Sequence, residues 1–532
     1  MKKFFHILLA LLLIFPMNGC KSNKSSIHAI KYNLESEPKT LDPQAANDFS
    51  SNTVILNIFE GLTRLDDNEN PTPAAAEKWE NNSNFTEFTF YIRKNLTWAN
   101  KEKTPLTSKD FIFGLKRALY KNTNCPLVSN FYCIKNAKNY NLNNKNFDSV
   151  GIDVIDDYTI KFSLEESNKD FPKILALPAA MPCNEDFFNS CAGQYGLSQT
   201  TVLCNGPYKI KPKYGWEHFK SLNLVKNENY SGPHQTNVEG INFTIGQNTS
   251  NLTESIKNET LDAGLLPFDE IKKAKDKNLT LLPFGDIIWF VCFNCSNETF
   301  SSLNMRKAIL SSLNREFILN SIPEGCSITN DLVPRDSMVG SFNFRESSGS
   351  NLFFKEDNNS LNYLKSGISE LNLKTLPNIT ITCLDTSEVK SIVSNMLENL
   401  NQKLDAHLNM NPVSYNDLLS TVNNLNYQIA LVPIVVDTDS ALDFLTMFKS
   451  DSKSNLPKYK NSSYDKLLDA AKISNSKDTL KALQEAEKSL LSQCVLYPMY
   501  SQKQYFTFNP SFKNIIVHKY KMGIDFTHIE NA

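Results

Sequence analysis

Between residues 288 and 501, apolar runs of strand length alternate with longer segments of helical spacing, and no unit repeats. The strand-like runs are "IWFVCFN", "NITITCL" and the stretch "IALVPIVV" that starts at Ile429. The helical segments are "NMRKAILSSLNREFILNSI", "VKSIVSNMLENLNQKL" and two more at 463–474 and 476–492, which lead to "LYPMYSQ". Interleaving of this kind implies an α/β protein, because strands and helices bury their apolar faces against one another. The same alternation fills 71–190. There "FTEFTFYI" puts Phe88, Phe90 and Ile92 on one face of a half-buried strand, and "TSKDFIFGLKRALY" opens on a Thr107/Ser108 cap before a helical apolar stripe. Near 205 the pattern resets to turn-linked strands: "NGPYKIKPKYG", "LNLVKNENY" and "GINFTI". A chain of 532 residues is too long for one core, so two or three lobes are expected.

The N-terminus "MKKFFHILLALLLIFPMNGC" carries Lys2 and Lys3, then an apolar stretch from Phe4 to Phe15. That stretch has the length of a secretory signal core and is too short to cross a bilayer. Closed by Gly19-Cys20, it resembles a bacterial lipoprotein signal, which implies cleavage at residue 20 and lipidation of Cys20. Met17 and Asn18 stand where that pattern has Leu and a small residue, and an ordinary cleaved signal is the alternative. Residues 21–26, "KSNKSS", read as a polar tether, and no later apolar run is long enough to span a membrane. The formal net charge of −2 argues against a nucleic-acid binder, which would carry a strongly basic domain.

Ten of the eleven cysteines lie beyond Cys20, and an even number in an exported chain permits disulfides. Cys125/Cys133 and Cys183/Cys191, each pair eight residues apart, are the first to test. Cys292 and Cys295 have CxxC spacing but no second CxxC and no His cluster. Cys292 therefore reads as a small apolar strand residue rather than a zinc or redox ligand. No metal and no cofactor are expected.

The run from Ile429 empties into three acids, Asp437, Asp439 and Asp443. They could hold a metal, run acid–base chemistry, cap a helix or await a cationic ligand. Asp439 or Ser440 is placed to cap "ALDFLTMF", which leaves Asp443 on that helix's solvent face. The chain lacks G-x-S-x-G, H-E-x-x-H and any Cys with a His–Asn pattern, and no second motif accompanies the acids. A peptidase, or a purely structural envelope protein, is the weaker reading.

Several blocks, in order, resemble one family, the peptide-class extracellular solute-binding proteins of bacterial ABC importers (family 5). They are "SEPKTLDPQAANDFSS…LNIFEGLTRLD" (36–66), "PAAAEKWE" (73–80), "FTFYIRKNLTWAN…LTSKDFIFGLKR" (88–117), "CNGPYKI" (204–210), "VKNENY" (225–230), "ETLDAG" (259–264), "FN…LNMRKAILSSLNREFI" (293–318), "YKNSSYDKLLDAA" (459–471) and "LYPMYSQ" (496–502). The resemblance implies a two-lobed periplasmic-binding-protein fold with a third lobe inserted (class II-like, cluster C). Lobe I would comprise 27–70, 191–287 and 502–532, lobe II 71–190, and lobe III 288–501, with a hinge near 287 and 502. It further implies a monomeric, exported, membrane-anchored protein, in the periplasm or on the cell surface, that captures oligopeptides and delivers them to ABC importer permease subunits. Murein-derived peptides, a metal chelate or haem are the alternative ligands within the class.

The same resemblance suggests ligand-facing residues. Glu37 lies in a cleft-lining block, with a solvated loop carboxylate as the plain alternative. Family members carry Gly-Trp-x-x-Asp where this chain has "LVPIVVD" (431–437), so Asp437 becomes the partner for a peptide amino group. Tyr500 matches a cleft tyrosine that could hydrogen-bond ligand backbone, or it is a half-buried hinge residue. Trp79, Arg93, Trp98, Asn294 and Arg306 read as structural.

Overall fold

The computed structural model describes residues 28–532 except 144–145, 248–250, 268–269, 315–316, 319–321, 323–325, 341, 349–358, 437–438, 474–475 and 520–521. Cys20 and Asp437 lie outside the described residues.

One large sheet runs through the molecule. Its strands in chain order are β1 (Ile30–Leu34), β2 (Tyr208–Ile210), β3 (Ser221–Lys226), β4 (Gly240–Ile245), β5 (Ala263–Leu265), β6 (Thr280–Phe293), β7 (Thr380–Leu384), β8 (Asn409–Val413), β9 (Ile429–Val435) and β10 (Leu496–Phe508). They lie side by side as β8-β7-β9-β6-β10-β5-β1-β4-β3-β2, with Trp216–Glu217 added on β3 and Ser327–Ile328 on β10. A second, four-stranded sheet combines Ala76–Asn81, Glu87–Ile92, Thr159–Ser163 and Ile152–Asp156.

The long strands β6 and β10 pair antiparallel from Thr280↔Phe508 to Cys292↔Leu496, with Ile287 opposite Gln502. They link two cores. One core draws only on residues from Ile287 to Tyr500. The other draws on residues from Ile30 to Ala263 and from Phe506 to Ile529, and it runs on without a break into the four-stranded sheet through Phe88, Phe90 and Phe162.

Local chemistry sets the elements. The helix α1 (Ser108–Leu119) starts at Thr107, whose backbone N–H donates to Asp110 Oδ2 at 2.8 Å in a capping box. The helix α2 (Leu303–Ser312) ends at Leu313, whose backbone is extended; Phe317 and Ile318 are again helical, and the rest of the expected helix to 322 lies partly outside the described residues. The helix α3 (Ser387–Leu404) buries Val389, Ile392, Val393, Met396, Leu400 and Leu404 at helical period behind the Thr386 cap. Arg306 donates to the carbonyls of Phe300, Ser301 and Gln493, and Asn294 Nδ2 to those of Leu425 and Tyr427. All ten described cysteines are free thiols, so the pairs Cys125/Cys133 and Cys183/Cys191 are not bridged. Cys133 Sγ instead donates to Asn130 O (3.3 Å), and Cys183 sits against Arg117 (3.6 Å).

The quoted blocks meet in a buried knot. Glu60 of "FEGL" accepts from the Tyr230 hydroxyl (2.5 Å) and lies 3.5 Å from Arg64, which donates to Asp525 (2.7 Å). Asn205 of "CNGPY" bonds both the N–H and the carbonyl of Glu60, and Asn227 of "KNENY" donates to Gly206 O (2.8 Å). Burial raises the Glu60 carboxyl to about 7, against the lowering pull of Arg64 and the Tyr230 hydrogen bond. Between the ordinary value of 4.5 and about 7 the folded chain therefore binds a proton that the unfolded chain has released. Stability attributable to this group falls as pH rises through that window, by up to roughly 3 kcal/mol. Denaturant unfolding at pH 5, 6, 7 and 8 is expected to show this decline relative to Glu60→Gln; a constant difference between the two proteins across the series would refute it.

Candidate ligand site

The parallel strands on both sides of the β6–β10 pair end at the same place. β1 runs parallel to β4 and β5, and β5 meets β10 with Leu265 opposite Phe506, so these carboxyl ends point toward Gln502. On the other side β9 runs parallel to β7 and antiparallel to β6, with its last residue, Val435, opposite Ile287. Ile287 and Gln502 are themselves partners. The loops after β1, β4 and β5 and those after β7, β8 and β9 thus open onto one gap. A crevice outside the carboxyl ends of such strands is where open α/β sheets take ligands.

Just below the crossing the two long strands carry a fully buried aromatic pair. Trp289 and Tyr500 are register partners whose rings stack at 5.5 Å and 16°. Trp289 Nε1 donates to Gln502 Oε1 at 2.9 Å. The ladder slips between Trp289 and Phe290, leaving Met499 as an extra residue next to Tyr500. Tyr500 is buried, its hydroxyl has no hydrogen-bond partner among the described residues, and burial raises its pKa.

Each wall supplies an acid. Glu35 directly follows β1 and reaches solvent, yet desolvation by the surrounding protein raises its pKa. Its charge is felt across the gap by Tyr415, whose pKa is raised by burial and then by Glu35. Tyr415 is the first residue of α4 (Tyr415–Asn423), directly after β8 and the Ser414 cap. On the same side Asp439 also reaches solvent, and desolvation raises its pKa, with Asp443 adding to the shift. Ser440 is the cap of α5 (Ala441–Thr446), accepting from Asp443 N at 3.1 Å.

Glu37 stands in the loop after β1 with its carboxylate in protein contacts. Oε1 accepts from Trp216 Nε1 (2.9 Å) and lies 2.6 Å from His218 Nδ1, and Oε2 accepts from Phe219 N (2.8 Å). The sequence pattern did not single out Glu35 or Tyr415. The signal for both is position, since each follows within two residues of a strand that ends at the gap. Among the described residues no group of three His, Cys, Asp or Glu side chains could hold a metal, and no helix is long and apolar enough to cross a membrane.

Comparison with known proteins agrees with this architecture. The family description "Bacterial extracellular solute-binding proteins, family 5 Middle" matches residues 70–455. Dipeptide-binding protein DppE of Bacillus subtilis (strain 168) is 26% identical, over 97% of this chain and 97% of its own. Oligopeptide-binding protein OppA of the same organism is 25% identical, over 94% of this chain and 92% of its own. The structure of Listeria monocytogenes OppA bound to peptide superposes with a TM-score of 0.67 at 22% identity, covering 96% of this chain and all of the other. With its strand ends gathered on one gap and most of its length matched, the chain belongs to family 5 of the bacterial extracellular solute-binding proteins.

Proposed function

We propose that the protein captures oligopeptides between closing lobes and hands them to the permease subunits of an ABC importer. The observation that carries this reading is the convergence of strand ends from two cores on the Ile287–Gln502 crossing. The lobes are 27–70 with 191–287 and 502–532, then 71–190, then 288–501, and they pivot where Ile287 faces Gln502. The protein acts as an exported monomer tethered by lipid on Cys20. The names of the B. subtilis relatives, which bind dipeptides and oligopeptides, support the ligand class.

The chemistry suits an extended peptide. Its backbone N–H and C=O groups pair with protein backbone without regard to sequence, and only its ends need charged partners. Desolvated carboxyls at the gap favour a cationic end; Asp437, between β9 and Asp439, is the proposed partner for the amino group. Tyr500 offers its hydroxyl to ligand backbone, and closure of the lobes strengthens each contact by excluding water. The altered "LVPIVVD" block favours a second, narrower reading, in which a murein-derived peptide or a metal chelate replaces general peptides.

Native mass spectrometry of the mature protein separates these readings. Retained peptides of mixed sequence are expected. One defined murein fragment or a metal species would favour the narrower reading, and an empty protein with no thermal shift across a peptide library would remove the whole class. Asp437→Asn is expected to weaken a free-amino peptide at least about tenfold while leaving its N-acetylated form within about twofold. Equal affinity of wild type and variant for the free-amino peptide would show that the acid lies elsewhere. Tyr500→Phe removes an unpartnered buried hydroxyl, so stability is expected to stay level or rise by up to about 1 kcal/mol while peptide affinity falls. A loss of stability in denaturant unfolding would instead make that hydroxyl a structural group.

A further inference from the structure

One segment of the chain touches both cores beside the gap. It begins on β10, where Ser327 and Ile328 pair with Ser501 and Tyr500, next to the crossing at Gln502. It then dips into the core at Leu332 and Val333 and turns at Pro334–Ser337, with Ser337 N donating to Pro334 O at 3.1 Å. On its way out, Met338 N donates to Asp439 O (2.5 Å), and Met338 bridges to Ser440, the cap of α5, in the loop after β9. Two residues earlier, Asp336 lies 3.9 Å from Lys519 Nζ, which directly follows the strand Ile516–His518 of the other core. The turn therefore stands where the two cores approach, against the wall that carries Asp439.

Arg335 is the second residue of this turn. Its side chain is 74% exposed, yet it is held at one edge. Nε donates to Asp331 Oδ2 at 2.8 Å, and Asn343 Nδ2 donates to the Arg335 carbonyl at 3.1 Å. Asp331 is buried and has a second cation on its inner side, Arg345, at 3.5 Å. Arg345 in turn donates to Val333 O and to Glu487 on the helix Ser476–Ser492. A buried, firmly placed acid thus grips the Nε edge of Arg335. The outer edge, Nη1 and Nη2, has no hydrogen-bond partner among the described residues. Those two nitrogens form the fork that matches a carboxylate. Fixing a mostly exposed arginine costs rotamer freedom, which one exposed ion pair offsets only in part. A ligand carboxylate that meets a fork already fixed bears little of that cost.

We propose that Arg335 binds the carboxylate of a peptide of two or three residues, with Asp331 as the positioning residue that orients the guanidinium. Reach sets the length. Arg335 is three residues from Met338, at most about 11 Å along an extended chain, and the turn shortens that. A peptide with its amino group at the acids after β9 and its carboxylate on Arg335 spans about the same distance, at roughly 3.5 Å per residue. This inference rests on the peptide reading above and adds to it the partner for the carboxyl end and a limit on ligand size.

Calorimetric titration with trialanine and hexaalanine, each as free acid and as carboxyl-terminal amide, tests it. Wild type is expected to bind the trialanine acid at least about tenfold more tightly than its amide. For hexaalanine, whose carboxylate lies beyond the reach of Arg335, acid and amide are expected to agree within about twofold. Arg335→Gln, at an exposed position, is expected to bring the trialanine acid down to the affinity of the amide. Arg335→Lys, which keeps the charge and loses the fork, is expected to retain part of the difference. Asp331→Asn is expected to narrow the acid-to-amide ratio by about threefold with amide affinity unchanged, a pattern that a merely structural role would not give. Equal affinity of wild type for the trialanine acid and amide overturns the assignment and leaves the peptide reading standing. So does an acid preference that survives Arg335→Gln. An acid preference of the same size for hexaalanine overturns the size limit. If none of the peptides bind, the peptide reading falls and the role of Arg335 falls with it.

Discussion

The pairing of β6 with β10 is the interaction on which the rest of the structure depends. Strands in globular proteins commonly run about five or six residues. These run 14 and 13, long enough for one end of each to lie in each core. The chain passes between the two cores at Ile287 and at Gln502, and the register places those two residues opposite each other. The crossings therefore form one ribbon. Twisting that ribbon moves one core against the other without breaking the packing of either, which is the mechanical requirement for a gap that opens and closes.

Much of the ribbon was hidden in the sequence. "IWFVCFN" reads as a strand, but nothing in the apolar pattern carries it back to Thr280, because Pro283 and Gly285 interrupt it. The structure absorbs both at a register shift, where a ladder tolerates an irregular residue. "SQKQ" likewise breaks the apolar run of β10, since this stretch lies at the gap, partly open to solvent. β8 went unread for a related reason: it is an edge strand containing Pro412, which only an edge tolerates. Pro433 is accommodated in β9 in the same way, because β7 pairs only with Ile429 and Ala430 and leaves the second half of β9 with β6 alone. Segments buried at a regular period, such as α3, were legible because packing alone decides them.

The family blocks were legible too, but what they encode is scaffolding. Glu60, Asn205, Asn227 and Tyr230 come from three separate blocks and bond one another. Residues that line a gap leave a fainter trace. Glu35 and Glu37 stand two positions apart in the bend that follows β1. Which of them is held by protein depends on Trp216, His218 and Phe219, about 180 residues further along the chain, and no local pattern reports that.

The unpaired charge at the strand ends is of one sign. Glu35 directly follows β1 and Asp439 follows β9, both reach solvent, and among the described residues neither has an ion-pair partner. The surrounding protein raises the pKa of each carboxyl, and an opposite charge brought beside either would pull it back down. Acids that fold without a cation of their own are therefore suited to a cationic group that arrives with a ligand, because such a group meets no competing ion pair there.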